Sequence, residues 1–327
     1  MDGHLMGIDV GGTNIKMMIM DGDYRVVAKC SIPTLRDTGY EEVSTRMIRA
    51  AKELMAGHNL KPESLKAVAM GLPGTVDTVQ GVTVRLSALH WDGFNPCEKI
   101  GKYFQVPYFI ENDANINAFG EYMFGGNRGR KSLALVTLGT GVGCGIVLDG
   151  KIAGGANNMA AELGHMIVNA DGGELCLCGK RGHLESYCSG IALTWEAQAM
   201  MSVFPDSVLH QYVRENNGLF DIAMITRGYE EHDHVCRELI DRYTRYLSVG
   251  LANLMTMYNP ELILVGGGIS NAGDIILNPI NKRCKEMVLS ERSYCPVKKA
   301  ALGAEAGMYG ACALAGQKVR LEAYDRI

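Results

Sequence analysis

Two familiar nucleotide-binding signatures are missing from this chain: there is no G-x-x-x-x-G-K-[ST], and no glycine turn reads G-x-G-x-x-G. Neither a P-loop nor a dinucleotide fingerprint can therefore carry its chemistry. Charge is also scarce, at 21% of 327 residues with a net of −4 and no basic block, which argues against nucleic acid as the main partner. No apolar run approaches the roughly 18 residues that would span a bilayer, and residues such as Asp2 and His4 replace the basic-then-apolar start of a secretory leader. The expectation is a cytoplasmic protein with no membrane partner. Ten cysteines do not make a disulfide framework, because Cys30, Cys97, Cys236, Cys284 and Cys312 are scattered singly through a long chain. What remains, a 47% hydrophobic sequence longer than single cores usually grow, reads as two well-buried domains.

The stretch Leu5 to Gly22 then stands out. An apolar run delivers Asp9 into a turn containing Gly11, Gly12 and Thr13, whose N–H groups and hydroxyl suit phosphate, and a second apolar run leads to Asp21-Gly22. The pattern recurs 128 residues on, with Val136-Thr137-Leu138-Gly139 matching Ile8-Asp9-Val10-Gly11 and Asp149-Gly150 matching Asp21-Gly22. Asp-Gly between two strand-like runs is a hairpin signal. The repeat predicts two like domains, each offering a turn to one nucleotide. A third strand-then-glycine segment, Val265 to Ile269 with Gly267 and Gly268, adds another close backbone approach.

Apolar spacing predicts a helix over Tyr40 to Gly57, a second over about Pro96 to Phe104, and a long one over Val235 to Tyr258 stopped by Asn259-Pro260. Buried strands are expected at Ala67 to Met70, Pro107 to Ile110 and Leu262 to Val265. The loop of residues 82–95, with Ser87, His90 and Trp91, is either a surface connection or part of a sugar pocket. A domain boundary is expected near Asn117, giving residues 1–117 plus about 303–327 as the smaller domain and 118–302 as the larger. Polar residues follow the Pro107 to Ile110 strand where a helix begins, the place where α/β folds set ligands. There Asp113 reads either as a helix N-cap or as a carboxylate that takes a proton.

Taken together, Asp9-Val-Gly-Gly-Thr13, Gly71-Leu-Pro-Gly74, Glu111-Asn-Asp-Ala-Asn115, Leu138-Gly-Thr-Gly-Val-Gly143, Glu162-Leu-Gly-His165, Cys176-x-Cys178 and Val265-Gly-Gly-Gly268 resemble the ROK family of sugar kinases and repressors. The resemblance runs over nearly the whole chain. It implies a two-domain α/β fold of the actin and hexokinase type, with duplicated strand-hairpin-helix domains around a cleft. It also implies ATP-dependent phosphorylation of a hexose at its 6-hydroxyl, with Asp113 as general base and Asn112 and Gly74 beside the sugar. Gly11, Gly12, Thr13, Gly139, Thr140, Gly141, Gly267 and Gly268 would then hold ATP, and Asp9 would orient Mg²⁺ through water. Thr137 replaces that carboxylate in the second copy.

Glu162 and Glu185 match the family's sugar-binding glutamates, though each alone reads equally as a solvated charge. His165 would share itself between the sugar and a structural Zn²⁺. The zinc segment departs from the family, reading Cys176-Leu-Cys178-Gly-Lys-Arg-Gly-His183 where a third cysteine is usual. His165, Cys176, Cys178 and His183 make a competent tetrahedral set. The longer reach of an imidazole requires the loop to shift, or Cys188 to stand in. Ser87-Ala88-Leu89-His90-Trp91 lacks the Asn-Leu pair of glucokinase-like members, and the Leu184 to Gly190 segment resembles allose kinases. Glucose is therefore ranked first only narrowly over allose, N-acetylmannosamine and other hexoses. The first strand begins by about Leu5, leaving no helix to read DNA, so a repressor is not expected. A non-catalytic sugar sensor is disfavoured by Asp113, Asp9 and both turns. Homodimers are common in the family.

Overall fold

A computed structural model of the chain describes residues 3–86, 89 and 91–324, the last four of these by backbone alone. The elements run β1 (His4–Val10), β2 (Asn14–Asp21), β3 (Val26–Pro33), α1 (Tyr40–Gly57), β4 (Leu65–Leu72), β5 (Thr75–Asp77) and β6 (Val82–Arg85). Then come α2 (Pro96–Phe104), β7 (Tyr108–Asn112), α3 (Asp113–Phe124), β8 (Ser132–Leu138), β9 (Val142–Leu148) and β10 (Lys151–Ile152). The remainder is α4 (Glu185–Cys188), α5 (Gly190–Val203), α6 (Leu209–Glu215), α7 (Ala223–Glu230), α8 (His234–Tyr258), β11 (Leu262–Gly266), α9 (Asp274–Met287), β12 (Val297–Lys299) and α10 (Ala306–Tyr324).

Local signals explain many of these boundaries. Helix α1 buries Val43, Met47, Ala50, Ala51, Leu54 and Met55, the stripe that its spacing requires. Pro96 occupies the first turn of α2 while Asn95 Oδ1 accepts the N–H groups of Cys97 and Glu98, both at 3.0 Å. Asp233 caps α8 through the Cys236 N–H at 2.8 Å, and Asn259 ends that helix in the left-handed region at φ 43°.

The two large sheets repeat one topology. The first runs β3-β2-β1-β4-β7 and the second β10-β9-β8-β11-β12. Strands β1, β4 and β7 are parallel, as are β8, β11 and β12. β1 and β8 start 128 residues apart, as do β2 and β9, and β1 and β8 share one burial pattern along their length. The two Asp-Gly turns differ, however. Asp149 and Gly150 both take positive φ, at 48° and 75°, and form a two-residue hairpin between β9 and β10. In the first copy the turn is longer: Asp21 Oδ1 accepts the N–H groups of Asp23 and Arg25, both at 2.9 Å, and Tyr24 rather than Gly22 carries the positive φ.

The chain divides into two compact units. One comprises residues 1–130, 145–161 and 301–327; the other comprises 131–144 and 162–300. The division falls after residue 130 rather than near Asn117, because α3 is bound along its length to α10. A Cβ at Gly120 would overlap the carbonyl oxygen of Ala306, and one at Gly310 would overlap that of Ile116. Helices that close cannot be parted in the middle of α3. The core of the first unit is the α1 and α2 face of its sheet, built on Met6, Ile8, Met17, Val68 and Met70. Trp91 belongs to this core, 1% exposed and edge-on to Tyr40 at 5.9 Å, rather than to a pocket wall. Ser87 and His90 lie outside the described residues. No described helix is long and apolar enough to cross a membrane.

Candidate functional site

The turn between β1 and β2 is closed by the Gly11 N–H donating to the Asn14 carbonyl at 2.9 Å. Thr34, at the end of β3, fastens it from behind: its Oγ1 donates to the Gly11 carbonyl at 2.6 Å and its N–H to the Thr13 carbonyl at 2.7 Å. With the carbonyls turned inward, Gly12 and Thr13 are exposed, and nothing lies near where a Gly12 Cβ would be. Thr34 is not legible as a site residue in the sequence. Only the β2 and β3 register, which pairs Asn14 with Pro33, brings it there.

Asp9 sits at the end of β1, and its carboxylate rests against Gly307 in the first turn of α10, so closely that a Cβ there would overlap it. Burial pushes the Asp9 carboxyl above the usual carboxylate range, and Lys16, its partner across the hairpin, pulls it partway back. A carboxyl raised in the folded state contributes stability that is complete below its ordinary pKa and lost as pH rises through the raised value. The Asp9 carboxyl therefore costs stability at neutral pH relative to an uncharged side chain. Asp9→Asn is expected to raise the Tm of the ligand-free protein at pH 7, with the difference shrinking as the pH falls into the acid range. A lower Tm for the variant at pH 7 would show that Asp9 holds the fold instead.

Asn112, the last residue of β7, caps α3: its Oδ1 accepts the Asn115 N–H at 3.1 Å. The cap expected as one reading of Asp113 thus belongs to its neighbour. Asn112 Nδ2 donates to the Gly74 carbonyl at 2.9 Å and to Asp113 Oδ1 at 3.1 Å, and the Ala114 N–H donates to the same Oδ1 at 2.8 Å. Gly74 is needed where it is, at φ 121° with the Arg85 carbonyl filling the space of a side chain. Gly74, Asn112 and Asp113 are brought together at the carboxyl end of the parallel strands.

In the second unit the turn after β8 is built in a similar way. The Gly139 N–H donates to the Gly141 carbonyl at 3.1 Å, and the Gly190 N–H to the Gly139 carbonyl at 2.8 Å, leaving Thr140 exposed. Gly267, at φ 84°, backs on the Leu138 carbonyl, whereas Gly268 has open space beside it. Glu185, at the start of α4, accepts the Val142 N–H at 2.9 Å through Oε2, which also lies against Gly141. Its Oε1 is 3.9 Å from Cys176 Sγ, so Glu185 joins the turn to the cysteine loop. Glu162 is exposed; partial desolvation raises its carboxyl, the neighbouring His165 lowers it, and Glu185 raises it.

His165, Cys176, Cys178 and His183 offer ligand atoms that all lie within 4.8 Å of one another. Cys178 Sγ is 3.2 Å from His183 Nδ1, and Cys176 Sγ is 3.9 Å from His165 Nδ1. A tetrahedron with Zn–S and Zn–N bonds of ordinary length separates such donors by about 3.3–3.8 Å, so the residues fit the metal. His183 is placed by its bridge to Ile167, and Gly182 before it takes φ 75° against the Asn169 carbonyl. Cys188 does not stand in, being fully buried with Sγ directed at the Tyr243 carbonyl at 3.7 Å.

Known proteins resemble this chain over most of its length. A model described as the ROK family matches residues 5–318. A glucokinase of Halalkalibacterium halodurans is 33% identical over 306 residues, 93% of this chain and 92% of that protein. A glucokinase of Streptomyces coelicolor is 32% identical over 325 residues, 96% and 98% of the two chains. A ROK family glucokinase from Streptomyces griseus, solved in complex with glucose and AMPPNP, aligns with a TM-score of 0.80 at 30% identity, over 96% of this chain and 100% of that one.

Proposed function

The chain belongs to the ROK family and is an ATP-dependent hexose kinase, and from that premise we propose that it transfers the γ-phosphoryl group of ATP to the 6-hydroxyl of glucose with Asp113 as the base. Its two sheet-and-helix units of like strand order are the α/β fold of the family's kinases. The observation that carries the reading is the Gly74, Asn112 and Asp113 cluster at the end of β7, in a chain whose S. griseus relative was solved with glucose and AMPPNP. One Asp113 oxygen is held by Asn112 Nδ2 and the Ala114 N–H, which fixes the carboxylate for a hydroxyl brought against it.

Phosphoryl transfer asks mainly for positioning and charge stabilisation. The Gly11-Gly12-Thr13 and Gly139-Thr140-Gly141 turns, in which Gly12, Thr13 and Thr140 are exposed, serve the phosphates with the Thr13 and Thr140 hydroxyls, and Gly267 and Gly268 the rest of the nucleotide. Asp9 faces the metal side, where Mg²⁺ supplies neutralising charge. Glu162, Glu185 and His165 serve the sugar, and Cys176, Cys178, His183 and His165 Nδ1 hold a structural Zn²⁺ that fixes their loop. A homodimer in the cytoplasm completes the reading.

The test is ADP release with glucose, allose, mannose, fructose, N-acetylmannosamine and N-acetylglucosamine. Glucose is expected to give the highest kcat/KM. A different best sugar would reassign the substrate, and ADP release no faster with any sugar than without would end the kinase reading.

A further inference from the structure

The hydrogen bonds at the end of β7 converge on a residue next to the reacting pair. Glu111 is 6% exposed, yet its Oε1 accepts three N–H groups: the Asn112 backbone at 2.9 Å, Asn115 Nδ2 at 3.1 Å and Asn158 Nδ2 at 2.8 Å. Two donors are local. The third comes from 47 residues away, in the loop after β10. Asn158 stands in the left-handed region at φ 60°, which Asn accepts more readily than most residues, and its Nδ2 also reaches the Val76 carbonyl of β5 at 3.2 Å. Its Oδ1 lies against Gly154, where a Cβ would overlap it.

A buried carboxylate is costly unless it is hydrogen-bonded, and here three N–H donors converge on one oxygen. What the carboxylate supplies here is an anchor whose donors belong to the first turn of α3 and to one distant loop. The contacts continue to the reacting pair: the Asn112 N–H is held by Glu111, and the Asn112 side chain holds both the Gly74 carbonyl and Asp113 Oδ1. Asn115, whose N–H is capped by Asn112, has its own amide fixed by Glu111.

We propose that Glu111 and Asn158 are positioning residues for phosphoryl transfer: their carboxylate–amide link ties the 153–161 loop to the β7–α3 junction and sets the Asn112–Asp113 pair in its working orientation. This rests on Asp113 being the base. Glu111→Ala leaves three donors without their acceptor and is expected to lower kcat about 100-fold, the order that a displacement of about 1 Å costs. Asn158→Ala cuts the same link from the loop side, with a loss of about tenfold expected. Glu111→Gln keeps an acceptor oxygen and loses only charge assistance, so it should stay within about tenfold of wild type. The KM for ATP should be unchanged in all three. Glu111→Ala with Asn158→Ala should be little worse than Glu111→Ala alone, because both remove one interaction.

The experiment measures kcat and KM for these variants and for Asp113→Asn, with thermal melting of each. Wild-type kcat in both Glu111→Ala and Asn158→Ala, or a double variant that multiplies the two losses, overturns the link. If Glu111→Ala does not fold, Asn158→Ala and Glu111→Gln decide: wild-type kcat for Asn158→Ala overturns the proposal, and a loss in kcat with folding and ATP KM intact supports it. If wild type turns over no hexose, the kinase reading falls and this proposal with it. If wild type turns over, Asp113→Asn is inactive and the link variants are unaffected, the link alone falls.

Discussion

On the proposed base role, Asp113→Asn is expected to lower kcat by about two to four orders of magnitude, the range for removing a positioned general base, with sugar affinity and folding close to wild type. On the activation barrier this is about 2.7–5.4 kcal/mol. The structure makes the substitution clean. The cap of α3 is Asn112, not Asp113. The variant amide can still present Oδ1 to the Asn112 Nδ2 and the Ala114 N–H, which donate to it now. Loss of rate without loss of Tm therefore isolates the proton-accepting role. Coupled ADP release gives kcat, calorimetry gives the sugar affinity, and a melting curve gives stability. A variant with wild-type kcat would rule out Asp113 as the base. A variant that loses stability and rate together would return Asp113 to a structural role.

On the proposed zinc site, His183→Ala is expected to lose the metal and with it the order of the cysteine loop. Altering groups that merely support metal ligands typically weakens binding by about 10- to 100-fold, so loss of a direct ligand should exceed about 100-fold. Metal binding and folding of such a loop are coupled. The consequences should therefore pass to Glu185, whose Oε1 lies by Cys176 and whose Oε2 holds the Val142 N–H. The purified wild type is expected to carry one zinc per chain and the variant much less, with a lower Tm and a raised KM for the sugar. Cys188→Ala provides the contrast, since that thiol points into the core and should leave zinc content unchanged. Full zinc content in His183→Ala would exclude it as an essential ligand. Absence of zinc in wild type protein purified without chelator would remove the metal from the reading.

Much of the framework was legible in the chain because the signals are local. The bounds of α1 and α2 follow from an apolar stripe, a proline at the first turn and an Asn cap, all set within a few residues. The duplicated hairpin was legible because β1 and β8, and β2 and β9, keep one spacing. The metal set was legible in composition, but the choice between His183 and Cys188 was not. Reach along a loop depends on where its backbone crosses the next segment, here at the Ile167 and His183 bridge. Thr34, Asn158 and Gly307 carried no motif, because each meets its partner only through strand register or packing, and Glu111 stood in a motif without a sign of the distant donor it accepts.

By itself, then, the sequence determined the elements, their duplication, the glycine turns and the residue types available for chemistry. These depend on periodicity, on turn propensity and on ligand chemistry, which act over short spans. Only the tertiary structure decided that α3 lies wholly with α10, that Asn112 rather than Asp113 takes the cap, and that a carboxylate buried beside it is held from 47 residues away. Those outcomes are set by backbone approach and by hydrogen bonds between distant segments, where each buried donor must find whichever acceptor the packing brings to it.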